Sequence, residues 1–276
     1  MMHTPRYLAL ILAAFAAAAG AADIVSPDPA ADLGRDVLAR LALARTGLQT
    51  YRGQATLTIA GGERPGTYNV SFGRILPDKS RLEIGTPLGG TGLVLTANAG
   101  TMMAYNVPER SAGIGPESRE HLAAVLDADL GGNLAETLDW LVGIPGTMEA
   151  DVLADKVRLS AAAEGGDATA SWSRPADGVL LQEITIDDKT LKLKSARRFD
   201  NGEIAASAEF DKWKKESGFE FARHVIVKTA ALTCDVKVTK LEANVEIPAE
   251  AFELQTPPGT ESIIYWKAGA DDGEQP

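Results

Sequence analysis

QATLTIA, residues 54–60, and TYNVSFGR, residues 67–74, decide the fold between them. In the first, Ala55, Leu57 and Ile59 alternate with threonines; in the second, Tyr68, Val70 and Phe72 alternate with small polar residues. A period of two places each apolar set on one face of a strand, which a helix could not do. The stretch between them, GGERPG, holds three glycines and a proline and reads as a hairpin turn. RLEIG (81–85), TGLVLTA (91–97) and GTMMAYN (100–106) continue the series. After position 155 the pattern resumes in KVRLSA, ATASWSR, VLLQEITID, TLKLKSARRF, EIAASAEFDKW, FEFARHVIVKTA and TCDVKVTKLEANV. In TLKLKSARRF, Leu191 and Leu193 share one strand face and the lysines the solvated one.

Helical spacing occurs in two places. Leu33, Val37, Leu41 and Leu48 define an amphipathic helix from Leu33 to Tyr51, closed by Gly53. Between Glu117 and Pro145, leucines at 122, 126, 130, 134, 138 and 141 recur on either side of Gly131 and Gly132, so two short helices are expected, with Asn133 capping the second. The fold class is therefore mainly β with α: an unclosed antiparallel β-barrel of about 11 strands, because a sheet this large curls, with an N-terminal helix and inserted lid helices around an apolar cavity.

The first residues show a basic start at Arg6, an apolar run from Tyr7 to about Ala19 and small residues before Asp23. This is the form of a secretory signal. The expected organisation is a signal peptide over 1–21, one domain over 22–266 and a disordered tail over 267–276, in a protein exported to the periplasm. A lipoprotein signal needs a cysteine at the cleavage point, and the chain's single cysteine is Cys234, inside a strand-like run. A lone cysteine also excludes an internal disulfide. The formal charge of -11 disfavours nucleic acid and anionic lipid surfaces, so a transient membrane contact must be apolar.

No catalytic constellation is visible. The chain lacks H-E-x-x-H, G-x-S-x-G and P-loop patterns; His121 and His224 stand on different elements, and GIGPES (113–118) begins like a nucleotide-binding fingerprint but reads as a loop. The acidic residues are spread and show no pairing, which leaves a carboxylate-pair hydrolase without support. We expect no catalytic residue, no cofactor and no metal site.

Leu88 stands between Pro87 and Gly89 at a turn tip, where a leucine gains nothing unless it meets an apolar partner. IGTPLGGTGLVLTANAG (84–100), followed by LAETLDWLVGIPG (134–146), resembles the outer-membrane lipoprotein receptor LolB, which has a strand, a P-L-G turn, a second strand and a helix ending in W-[IL]-x-G-[LI]-P in that order. NVEIPAEAFELQTPPGTESI (244–263) is similar to the C-terminal part of the periplasmic carrier LolA. The resemblance implies a monomeric half-barrel that holds acyl chains of lipoproteins or lipids. Leu138, Trp140, Leu141 and Ile144 would line the cavity or its lid, and Pro87, Leu88 and Gly89 would form a membrane-insertion loop. The chain departs from the receptor in lacking the anchoring cysteine and in having Phe221 and Ala222 where a proline usually follows the glycine of WKKESGFEF. The same scaffold also fits a non-catalytic interaction or sensor domain that grips a protein partner.

The expected mature N-terminus is Ala22 or Asp23. Sequencing the N-terminus of protein recovered from the periplasm checks it; recovery of the intact chain from the membrane fraction contradicts it.

Overall fold

The computed structural model describes residues 28–126, 132–145, 156–253 and 255–267. The expected signal peptide and nearly all of the expected tail lie outside these residues. Helix α1 (Pro29–Arg45) starts at Asp28, whose carboxylate accepts from the amides of Ala30 at 3.0 Å and Ala31 at 3.4 Å. Proline is tolerated at the first helical position because its missing N–H would have no partner there. Val37 and Leu41 are buried. The helix stops at Thr46 and Gly47, earlier than expected, and Gly53 lies within the following strand.

Strands β1 (Thr50–Gly61), β2 (Gly66–Ile75), β3 (Lys79–Gly85), β4 (Thr91–Asn98), β5 (Thr101–Asn106) and β6 (Ser111–Pro116) form a meander. Helices α2 (Arg119–Leu126) and α3 (Leu134–Leu141) follow. A second meander comprises β7 (Arg158–Glu164), β8 (Asp167–Ser173), β9 (Leu180–Asp187), β10 (Leu193–Asp200) and β11 (Glu203–Asp211). A small separate hairpin, β12 (Lys214–Glu216) and β13 (Phe219–Phe221), leads to β14 (His224–Thr229), β15 (Leu232–Ala243), a 3-10 turn at Ala249–Phe252 and β16 (Ser262–Tyr265).

Fourteen of these strands form one sheet in the order β16-β6-β5-β4-β3-β2-β1-β15-β14-β11-β10-β9-β8-β7. The sheet is unclosed. Every neighbouring pair is antiparallel except β16 and β6, which run parallel, and the long β1–β15 ladder from Tyr51↔Ala243 to Gly61↔Leu232 joins the two meanders. The described residues thus hold more strands than expected, for identifiable reasons. GIGPES opens inside β6 rather than in a loop, FEFARHVIVKTA divides into β13 and β14, and β16 is too short to show a period. Leu191 is not in a strand either; it takes a left-handed φ of +57° in the turn before β10.

The inward faces of the strands, with α1, α2 and α3, build one continuous core that includes Tyr51, Phe72, Leu95, Leu138, Trp172 and Val225. Where β1 crosses beneath the Phe72 ring only glycine fits. A Cβ on Gly53 would come within 2.5 Å of the Phe72 Cζ and 2.7 Å of the Lys240 carbonyl oxygen. At Gly73, one strand away, the nearest atom to such a Cβ is 3.7 Å off.

Gly53→Ala should therefore cost about 1–3 kcal/mol of stability through overpacking. Gly73→Ala should be neutral or slightly stabilising, since alanine in a strand restricts the unfolded chain. Urea denaturation of the two variants checks the contrast.

Candidate functional site

The inward face of β1–β6, β14 and β15 is not filled by the helices. Between them lies a cavity of about 540 Å³. Leu57, Ile59, Val70, Ile84, Leu93 and Val236 come from the sheet, and Val125, Leu126, Trp140 and Leu141 from the helices. The strand directions define its ends. Hairpin tips at 61–66, 86–90, 107–110 and 230–231 all fall at one end of the sheet, and Arg64, Pro87, Pro108 and Glu109 from three of these tips line the mouth. Tyr51, Arg74 and Met102, all buried, occupy the opposite end of their strands.

A polar clasp fixes α3 across that opposite end. The Tyr51 hydroxyl donates to Asp139 Oδ1 at 2.7 Å, and Arg74, itself 2% exposed, places Nη1 3.6 Å from Asp139 Oδ2 while Nη2 donates to the Pro77 carbonyl at 2.8 Å. Both ends of the helix are tied as well. Asn133 and Glu136 form a reciprocal capping box, Glu117 accepts from the Ala135 amide at 3.1 Å, and Arg45 donates to the Gly143 carbonyl at 3.2 Å and the Glu220 carbonyl at 2.9 Å. Arg198 lies over the Trp140 ring at 4.5 Å and pairs with Glu136 at 3.3 Å. Gly132 makes room for this, since a Cβ there would meet Arg198 Nη1 at 2.2 Å.

Burial governs the titration of the clasp. It pushes the Tyr51 phenol well above its ordinary value, with the Asp139 charge adding to the effect. Burial also raises the Asp139 carboxyl, against the opposing pull of Arg74, and raises Glu117. Arg45 is lowered, again by burial. These are shifts of a structural network.

The mouth and side wall rest on small residues. The turn after β3 is closed by the Thr86 amide donating to the Gly90 carbonyl at 2.9 Å and the Gly89 amide to the Thr86 carbonyl at 3.0 Å. Gly89 and Gly90 have φ of +93° and +83°, the left-handed region that glycine tolerates. Leu88 at this tip is fully exposed, at 101%. On the far wall, β16 carries Trp266 over β6, and a Cβ on Gly113 or Gly115 would come within 2.1 or 2.6 Å of that residue. The Trp266 indole also stacks on His121, 5.0 Å between centroids, and lines the cavity.

The expected site residues are placed as follows. Trp140 and Leu141 line the cavity; Leu138 is fully buried in the core under the same helix, and Ile144, just past it, packs partly buried against the core. Pro87 lines the mouth, with Leu88 and Gly89 beside it at the tip. Trp266 and the clasp were not anticipated, although signals existed. Arg74 continues the inward series Val70 and Phe72, so a cation on an apolar face needed an acid partner, and the alternate glycines 113 and 115 mark a strand face without side chains. Cys234 also lines the cavity, but burial pushes its thiol up to about 11, which makes it unreactive at neutral pH. His121 Nδ1 lies 2.8 Å from the Pro116 carbonyl and His224 Nε2 3.0 Å from Asp235, so the histidines serve separate contacts. Among the described residues no cluster of three or more His, Cys, Asp or Glu side chains is arranged to hold a metal.

An open antiparallel sheet with a helix pair held against its inner face defines a class of half-barrels. This chain has the LolA/LolB-like fold of that class. A DUF1329 family protein from Desulfovibrio piger superposes with a TM-score of 0.60 at 16% identity, over 81% of this chain and 97% of that one. A putative outer membrane lipoprotein-sorting protein domain from Vibrio parahaemolyticus gives 0.55 at 10% identity, over 81% and 97%. A LolA superfamily protein from Nitrosomonas europaea gives 0.54 at 8% identity, over 80% and 97%. No protein-family model matches the sequence, and no curated protein matches it.

The clasp predicts a pH-dependent substitution effect. Because the folded Asp139 carboxyl titrates above the ordinary aspartate value, the stability it contributes is greatest in acid and declines as pH rises through the raised value. The cost of Asp139→Asn should therefore be largest near pH 4 and shrink toward neutrality. Urea midpoints of parent and variant across that range measure it; a cost that grows with pH contradicts the assignment.

Proposed function

We propose that this chain is a periplasmic protein that binds acyl chains and acts in the sorting or transfer of lipoproteins or lipids toward the outer membrane, without a catalytic step. The observation that carries the reading is the apolar cavity kept between sheet and helices, with its mouth beside an exposed leucine. The fold it shares with a putative lipoprotein-sorting domain supports the same reading. At about 0.8 kcal/mol per buried methylene, a chain of about sixteen carbons gains on the order of 12 kcal/mol in a dry cavity, before entropy is subtracted. A bilayer offers a similar gain, so the cavity exchanges chains rather than trapping them.

Leu88 suits exchange. Burying one leucine contributes about 1.5–3 kcal/mol, enough to prolong an encounter with a membrane and too little to anchor the protein. No helix among the described residues is long and apolar enough to cross a membrane. The reading as a partner-binding domain keeps one observation in its favour: Ile263, Ile264 and Tyr265 on the edge strand β16 are exposed.

Native mass spectrometry of protein purified without detergent tests the reading; a co-purifying lipid or acylated peptide is expected, and a cavity that stays empty when acylated ligands are added favours the partner-binding domain. Leu88→Glu should leave lipid binding and thermal stability within error of the parent and slow delivery of a lipopeptide to liposomes several-fold. Delivery at the parental rate would remove the role given to this loop.

A further inference from the structure

We propose that β16 is the contact by which two copies of this chain associate, pairing antiparallel about a two-fold axis with Ile264 opposite Ile264 of the second copy. The inference is independent of the acyl-chain reading, and it departs from the monomer that the family resemblance implies.

β16 is an open end of the sheet. In the strand order it neighbours β6 alone. The Glu261 amide donates to the Arg110 carbonyl at 2.8 Å and the Trp266 amide to the Ile114 carbonyl at 2.8 Å, which holds the segment along β6 past both ends of the strand. A sheet edge presents unpaired N–H and C=O groups, and proteins usually guard it with charge, bulges or cover. Here the edge is apolar instead. Among the described residues six large apolar side chains are exposed, and three of them, Ile263, Ile264 and Tyr265, are consecutive in β16. Scattered single apolar residues need no partner, whereas a contiguous run on an open edge marks a contact surface. β7, at the other end of the sheet, exposes Arg158, Ser160, Ala162, Ala163 and Glu164, with no large apolar side chain among them, and α1 packs against it.

The occupant follows from the order of side chains along the strand. Ile264 and Trp266 line the cavity, so the alternation of a strand places Ile263 and Tyr265 on the opposite face, with Glu261 and Lys267 one step further at either end of the same row. That outer row reads acid, aliphatic, aromatic, base. Laid antiparallel against itself with Ile264 at the axis, it sets Glu261 against Lys267 at both ends and Ile263 against Tyr265 twice, while Ile264 meets its own copy on the cavity face. Opposite charges, and aromatic with β-branched side chains, are favourable cross-strand pairs; an in-register parallel arrangement would set acid against acid and base against base. Within one copy Glu261 lies 3.2 Å from Arg110, and Lys267 has no ion-pair partner among the described residues. The pairing supplies that lysine with a carboxylate. Because Ile264 and Trp266 belong to the cavity wall, the added strand extends that wall. Stable interfaces bury about 1,200–2,000 Å² in total, more than an edge from 261 to 267 covers, so the dimer is a weak one governed by concentration.

Sedimentation velocity on the full mature protein tests this. The weight-average mass should climb from one chain toward two as the concentration rises to about 1 mM, and go no further, because a two-fold contact closes. Ile263→Lys should leave one chain at every concentration with an unchanged melting temperature, since the side chain it replaces is exposed. Lys267→Glu should weaken association about three- to thirty-fold, the altered pair occurring twice. Adding Glu261→Lys, with Arg110→Gln to remove the cation already beside that position, should restore it. A mass that stays at one chain overturns the proposal and leaves the edge to a strand of another protein. Growth past two chains indicates a head-to-tail contact between β16 and β7 and overturns the two-fold arrangement. Association that survives Ile263→Lys overturns the assignment to β16, and a charge swap that fails to recover association overturns the antiparallel register.

Discussion

The hydrogen bond from Tyr51 to Asp139, backed by Arg74, is the constraint on which the cavity depends. An apolar helix facing an apolar sheet gains free energy by closing any gap between them, because each lost contact forfeits dispersion and leaves apolar surface unburied. The cavity persists only if something other than apolar packing sets how far α3 can descend. A carboxylate that must meet a phenol and a guanidinium at one place does so, because an unpaired buried charge costs more than the packing would gain. Leu134 and Leu138 supply adhesion, and Asp139 supplies position.

The second organising feature is the pairing of β1 with β15. Each meander is built of neighbours in sequence, and only this ladder, joining residues nearly two hundred positions apart, makes one sheet of them. Its length compensates for the loop-closure entropy it must overcome. The ladder also carries a register shift between Gln54 and Ala55, where β1 crosses the middle of the molecule. Such bulges increase local twist, consistent with a curved sheet that packs α3 against β2–β4 and α1 against β7 and β8.

Much of this was legible in the sequence, because two-residue and helical periods report burial directly. The meander, the break at α2 and α3 and the Asn133 cap all follow from local pattern. What was not legible depends on contacts between distant elements. Nothing near Gly113 announces that Trp266 will lie on it, and the tie of Asp139 to Tyr51 joins a helix to a strand almost ninety residues earlier. The end of α1 was misplaced because Leu48 fits the helical series while serving the core from beyond the helix. For the site, Trp140 and Leu141 both line the cavity from the last turn of α3, where the leucine spacing marks the apolar side of the helix, and Trp266 reaches it from a segment with no period to read.

The gathering of the hairpin tips at one end of the sheet separates two kinds of inheritance. Residues along the strands answer to each other through the core, so any change there must be matched by neighbours. Residues at the tips answer mainly to whatever arrives at the mouth. Gly89 and Gly90 have no atom within 4 Å of a side chain placed on them, and Leu88 touches open solvent. The turns can therefore be changed singly while the sheet that displays them stays as it is.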